Sequence, residues 1–234
     1  RSTLFPYTTL FRSDYGLMFI NDEVPWEEVY NGITFPEYLC GGPEESSVAI
    51  CHGGRTEFVY PPCEQSSIEF ALERLGADSL DECHIQMSCS RFGKPLSDVM
   101  DHILNDEGLE AFNEVCHAAA KIPDRDLDKF TAAVLYANAD TSCEVCRIAE
   151  SMELFEYAPG VRDTNNLGAW WLENKLDCSL PYEIDEFFDY EGYGESIAEN
   201  NDGEFVEGLG FVCMEEGYSL EDVLQDTDQG MGGM

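Results

Sequence analysis

The spacing of apolar and polar positions changes several times along the chain, and the changes divide it. Val48-Ala49-Ile50-Cys51 predicts a strand, Gly53-Gly54 a turn, and Glu57-Phe58-Val59-Tyr60 a returning strand that Pro61-Pro62 ends. Ile68, Ala71, Leu72 and Leu75 then recur at helical spacing, with Ser66 and Glu69 placed as a capping box and Gly76 closing the helix. His84 to Cys89 alternates like a strand, which completes a small ββαβ unit. Ahead of it the pattern is weaker. Leu17 to Ile20 suits a short strand, Pro25 can open a helix over Trp26 to Tyr30, and Gly41-Gly42-Pro43 breaks the chain.

Residues 96–156 predict short, tightly linked helices that pack as antiparallel neighbours. Ser97 is placed to cap the first, with Val99, Met100, Ile103 and Leu104 inward. Leu109, Phe112, Val115, Cys116 and Ala119 mark the second. Asp124 caps a third with Leu127, Phe130, Val134 and Leu135, and a fourth starts near Ser142 with Val145, Ile148, Ala149 and Met152. Asp163 then caps a helix through Leu167, Trp170, Trp171 and Leu176, whose adjacent tryptophans cannot both face one core. Pro181 starts another, with Ile184, Phe187 and Phe188 inward, until Gly192 and Gly194 interrupt it. Asn201-Asp202-Gly203 is a turn, and Phe205-Val206 with Gly210 to Cys213 make a hairpin. Phe187, Phe188, Phe205 and Phe211 are the expected core of this last part. The expected fold is α+β, elongated and multi-domain. It has an N-terminal α+β domain over 14–94, a central helical domain over 95–156, a C-terminal acidic α+β domain over 157–214 and a mobile tail over 215–234.

Residues 1–13, RSTLFPYTTLFRS, are set apart, because TTLFRS resembles the translation of a sequencing-adapter primer. They are read as an adapter-derived artefact, which leaves the natural N-terminus undefined.

Composition sharpens the picture. The 234 residues are 44% hydrophobic and 12% aromatic, as in a globular protein, yet 48 acidic and 12 basic residues give a net charge of -36. Such a chain repels nucleic acid and anionic membrane and attracts basic surfaces. No apolar run is long enough to span a bilayer. Ten scattered cysteines, with no signal peptide ahead of them, read as reduced, mostly buried small hydrophobes of a cytoplasmic protein.

Catalytic chemistry is hard to place. Cys143-x-x-Cys146 lacks the second pair that a zinc site needs and sits among helices rather than in a thioredoxin-like context. Cys51-His52 and Cys116-His117 are adjacent in sequence, where side chains point apart. Asp185 and Asp189 could serve acid–base work or bind Mg²⁺, but carboxylate pairs arise by chance in so acidic a chain. No phosphate-binding glycine loop is present. The expectation is therefore no enzyme, no cofactor and no metal.

What remains is the charge. From Glu150 to Asp228 there are 22 acidic residues against Arg162 and Lys175, a net of -20. Aromatic residues run through the same stretch, so it is a folded surface rather than a disordered acidic tail. At one charge per roughly 1.7 Å of duplex axis, 20 charges correspond to roughly 34 Å, about one turn of DNA. The candidate surface comprises Asp163, Glu173, Asp177, Glu183, Asp185, Glu186, Asp189, Glu191, Glu195, Glu199, Asp202, Glu204 and Glu207. A solvating coat would explain the acidity but not its interleaving with aromatics.

These residues resemble the ArdA-type antirestriction family. The likeness is carried by Leu180-Pro181, Phe188-Asp189-Tyr190, Tyr193-Gly194-Glu195, an acidic turn, Gly203-Glu204-Phe205 and a final Gly210-Phe211-Val212 strand. Leu167-Gly168-Ala169-Trp170-Trp171-Leu172-Glu173 precedes them. The likeness covers 160–213, with weaker matches back to residue 46. It implies a non-enzymatic DNA mimic, usually a homodimer. Such proteins occupy the DNA-binding groove of type I restriction–modification enzymes, in the specificity and methyltransferase core, and protect incoming mobile DNA. Two alternatives stand beside it: a mimic aimed at a CRISPR nuclease or nucleoid protein, and a carboxylate- or metal-dependent hydrolase.

Overall fold

The computed structural model describes residues 8–13, 16–21 and 46–224. The helix expected over Trp26 to Tyr30, the break at Gly41 to Pro43 and residues 225–234 lie outside them. The fold is α+β, and the chain divides into two compact units, Arg1–Arg91 and Phe92–Met234.

In the first unit, β1 (Thr8–Ser13) and β2 (Gly16–Asn21) form a two-stranded antiparallel hairpin. Residues 8–13, set apart above as an artefact, thus have a strand partner. The ββαβ unit follows as expected. β3 (Ser47–His52) is the central strand, with β4 (Arg55–Val59) and β5 (His84–Cys89) antiparallel on either side. Across β3–β4 the turn is Gly53-Gly54, both with positive φ, and Val48 pairs with Val59. Helix α1 (Gln65–Leu75) covers the sheet through Ile68, Ala71 and Leu75 and ends on left-handed Gly76. The capping box at Ser66 is not formed. The helix begins two residues earlier, at Gln65 with Glu64 as the N-cap and no side-chain cap bond.

The second unit opens with four helices: α2 (Lys94–Asp106), α3 (Leu109–Ala119), α4 (Leu127–Tyr136) and α5 (Ser142–Glu150). Of the apolar positions the spacing picked out, Met100, Ile103, Leu104, Phe112, Val115, Phe130, Val134, Val145 and Ile148 are buried, whereas Val99, Leu127, Leu135, Ala149 and Met152 are half-buried. Two caps differ. Ser97 lies inside α2, which starts at Lys94 with proline in its first turn, and α4 starts at Leu127 behind a one-turn 3-10 helix over Asp124–Asp126. α5 carries a complete capping box between Thr141 and Glu144. Glu107 adds a second set of bonds there, accepting from the Ser142 N–H at 2.8 Å and its hydroxyl at 2.6 Å.

β6 (Phe155–Pro159), β8 (Gly210–Met214) and β7 (Glu204–Val206) form a second antiparallel sheet with β8 in the middle. α4 packs on this sheet, and the Tyr136 hydroxyl donates to the Asp202 carbonyl at 2.8 Å. The boundary drawn at 156 therefore falls inside one compact unit: the central helices and the C-terminal sheet share a core. Residues 215–224, expected as tail, also belong to it. α9 (Leu220–Leu224) buries Val223 and packs against α5, where the Arg147 guanidinium donates to the Leu224 carbonyl.

Candidate acidic interaction surface

Two helices and the turn between them carry most of the candidate carboxylates. α6 (Thr164–Asn174) starts where Asp163 accepts from the Asn166 N–H at 2.8 Å, as its sequence position predicts. α8 (Tyr190–Asn200) starts where Asp189 accepts from the Gly192 N–H at 2.9 Å. The helices cross through glycine. A methyl on Gly194 would overlap the Thr164 carbonyl, 2.7 Å from its carbon and 3.0 Å from the Gly168 nitrogen. One on Gly168 would overlap the Tyr190 carbonyl and sit 3.2 Å from the Gly194 nitrogen. Gly192 and Gly194 thus lie within a continuous helix, not the break that was expected, and Gly194 is its contact with α6. Because Gly194 meets Thr164 while Gly168 meets Tyr190, the helices run antiparallel. Glu173 then lies toward the start of α8, and Asp163 toward its later turns.

The α6–α8 pair rests on the second sheet through a cluster of Ala158, Val161, Leu167, Ile197, Phe211 and Cys213, edged by the half-buried Trp170, Trp171, Tyr193 and Phe205. Both tryptophans reach this edge, their rings edge-to-face with centroids 6.1 Å apart. Phe211 is fully buried, its ring tilted against Phe205 with centroids 5.1 Å apart, so part of the expected aromatic core is present. Phe188 is half-buried, edge-on to Tyr190 and Tyr193.

Phe187 and Ile184 correct the expectation. Helix α7 (Tyr182–Asp185) is a single turn, and its apolar residues face solvent: Phe187 is 84% exposed, Tyr182 74% and Ile184 53%. Spacing by three puts Ile184 and Phe187 on one side, but that side has no core to enter. The signal lay in the sequence: Pro181 limits the helix on one side, and every position between its apolar residues is acidic.

All thirteen candidate carboxylates are exposed. Glu191, Glu195 and Glu199 repeat every four residues and line one face of α8, about 6 Å apart along its axis. Like charges at this spacing cost a helix a few tenths of a kcal/mol per pair. Glu183, Asp185 and Glu186 occupy the α7 turn. It is tied down by a 2.9 Å bond from the Tyr182 hydroxyl to Glu186 and another from the Tyr190 hydroxyl to Asp185. The Asp185 bond holds the Tyr190 phenol above its ordinary value. Asp177 and Asp202 sit at left-handed positions, Glu204 on β7 and Glu207 in the hairpin loop, and the Asp202 N–H donates to the Glu199 carbonyl at 3.4 Å where α8 ends. Asp163 and Asp189 double as helix caps. Countercharge is scarce: no Lys or Arg follows Lys175 in the sequence, and Lys175 itself pairs with Glu156 beside the Trp171 ring.

Among the described residues no three His, Cys, Asp or Glu side chains converge as metal ligands. Of the nine described cysteines only Cys116 and Cys213 are buried, fewer than expected. Cys143 and Cys146 lie on α5, and burial pushes the Cys146 thiol up to about 11, away from the thiolate that metal binding or redox work needs. Among the described residues no helix is long and apolar enough to cross a membrane. No protein-family model and no curated protein matches the chain.

Proposed function

We propose that this protein is an ArdA-type DNA mimic, a homodimer that occupies the DNA-binding groove of a type I restriction–modification enzyme and inhibits it. The observation that carries this reading is the ordered exposure of all thirteen carboxylates around the α6–α8 pair, in a stretch with almost no countercharge. The glutamate stripe on α8 costs helix stability, and among the described residues no ion pair offsets it. A pattern that works against its own helix fits a role in binding a basic partner. A groove built for phosphates recognises anions through many similar contacts, and a rigid anion array offers the same set.

Competition tests the proposal. A type I methyltransferase core is bound to labelled duplex DNA and titrated with the protein. Displacement of the duplex, weakening steeply between 50 and 200 mM salt by roughly tenfold or more, is expected. Failure to displace DNA at any salt concentration rules out this target.

A further inference from the structure

Six large hydrophobic residues are exposed among the described residues, and three of them, Tyr182, Ile184 and Phe187, lie within one six-residue stretch. Scattered exposed apolar side chains are ordinary, whereas a cluster marks a surface that something covers. The chemistry around this turn narrows the occupant. Glu183, Asp185 and Glu186 share the turn with the apolar residues, and Asp189 follows at once. A second copy docking by two-fold symmetry would set these carboxylates against their own equivalents. A purely apolar partner would strip water from them and offer no bonds in return. Nucleic acid and anionic lipid carry the same sign of charge as the turn.

A guanidinium satisfies both halves of the surface. It stacks on an aromatic face while its planar fork pairs with a neighbouring carboxylate, which an ammonium, compact and strongly hydrated, does poorly. The Tyr182 ring and Glu186 are already fixed beside one another by a 2.9 Å bond from the Tyr182 hydroxyl, Tyr190 holds Asp185 of the same turn, and Phe187 follows Glu186 directly in the chain. Each carboxylate keeps free acceptor positions after these bonds.

We propose that the turn bearing Tyr182, Ile184 and Phe187 is a docking site for an arginine-presenting protein surface, with guanidinium groups stacked on the two rings and paired to the carboxylates beside them. The inference rests on the mimic reading only for where such a surface occurs, in the DNA-binding groove of the target. It adds that recognition selects arginine over lysine, and that it places the homodimer contact on another face.

The test uses the full chain with oligoarginine and oligolysine peptides of equal length, titrated calorimetrically at fixed salt. The parent is expected to prefer oligoarginine by roughly two- to fivefold for each ring engaged. Joint Tyr182→Ala and Phe187→Ala substitution should abolish the preference while leaving oligolysine binding intact. Phe187→Tyr should keep it and Phe187→Leu should reduce it. Phe70→Ala, at an exposed phenylalanine of the first unit, should change nothing. These side chains are largely exposed, so circular dichroism should match the parent. Equal affinity for both peptides in the parent, or a preference that survives the double substitution, overturns the proposal. So does a dimer that dissociates on the double substitution, since a second copy would then cover the face. A failure to displace DNA from the methyltransferase core strikes the proposed target and leaves the arginine preference measurable.

Discussion

Replacing Gly194 by alanine sets two effects against each other. Helix propensity favours alanine over glycine by about 1 kcal/mol in a helix interior. The crossing with α6 opposes it. The added methyl would lie 2.7 Å from the Thr164 carbonyl carbon and 3.0 Å from the Gly168 nitrogen, where ordinary carbon contacts begin near 3.5 Å. Both obstacles are backbone, so no rotamer change relieves the overlap, and the helices must separate by the better part of an ångström. Overpacking of this kind costs about 1–3 kcal/mol, and occasionally more. Backbone obstruction on two sides places Gly194 at the upper end, and after the propensity gain a net loss of about 2 kcal/mol remains. For a unit of this size that corresponds to a fall in Tm of roughly 4–8 °C. Gly192→Ala is the control. Its methyl would meet only the Asp189 carboxylate, a side chain that can swing away at the expense of one cap bond. The loss of a cap, about 1 kcal/mol, roughly cancels the propensity gain. Urea and thermal unfolding of both variants check the argument. A Gly194→Ala protein that melts at or above the parent would show that the α6–α8 crossing is not close-packed, and the platform for the acidic surface would have to be redrawn.

Three further outcomes are expected. Phe211→Ala, at a fully buried ring, should cost about 3–5 kcal/mol in urea unfolding, whereas Phe187→Ala, at an exposed one, should stay within about 0.5 kcal/mol of the parent; equal losses would restore the original core assignment. Alkali should unfold the protein: burial raises the Cys213 thiol from 9.0 to about 12 and the Tyr136 phenol from 10.0 to about 12, so both favour the folded state while neutral. Their contribution is complete below pH 9 and lost as pH climbs toward 12, and Cys213→Ala should flatten the fall in Tm over that window; an unchanged slope would remove the thiol from the explanation. Purified protein should carry no stoichiometric zinc by elemental analysis, and a one-to-one content lost on Cys143→Ser would assign Cys143 and Cys146 as ligands.

Much of the fold was legible because its periods are clean. The apolar run at Val48 to Cys51, the alternation at His84 to Cys89, the i, i+3, i+4 spacing of α2 to α5, the Asp163 cap and the Asp202-Gly203 turn each appear where the sequence puts them. The misreadings share a cause: local pattern carries no information about what lies opposite. Ile184 and Phe187 have helical spacing, but a single turn with no facing element buries nothing. Gly192 and Gly194 look like breakers until α6 arrives, and then Gly194 alone fits. Val223 looks like part of a polar tail until α5 covers it. The exposure of the thirteen carboxylates followed from their type and clustering, whereas the bonds that steady the α7 turn depend on tyrosines meeting carboxylates four and five residues away.

The central claim is that charge acts by number and place on one ordered surface. The direct measurement compares two sets of four amide substitutions in the DNA-displacement assay. One set is Asp185, Glu186, Asp189 and Glu191, where asparagine at 189 retains the helix cap. The other is Glu150, Glu215, Glu216 and Glu221, exposed acids outside the 163–207 stretch. Each exposed carboxylate should contribute about 1 kcal/mol or less, so the first set should weaken displacement by tenfold or more and the second by little. Equal, modest losses from both sets would reduce the acidity to a solvating coat. Complete loss of activity from Asp189→Asn alone, with binding intact, would point to catalysis instead of mimicry.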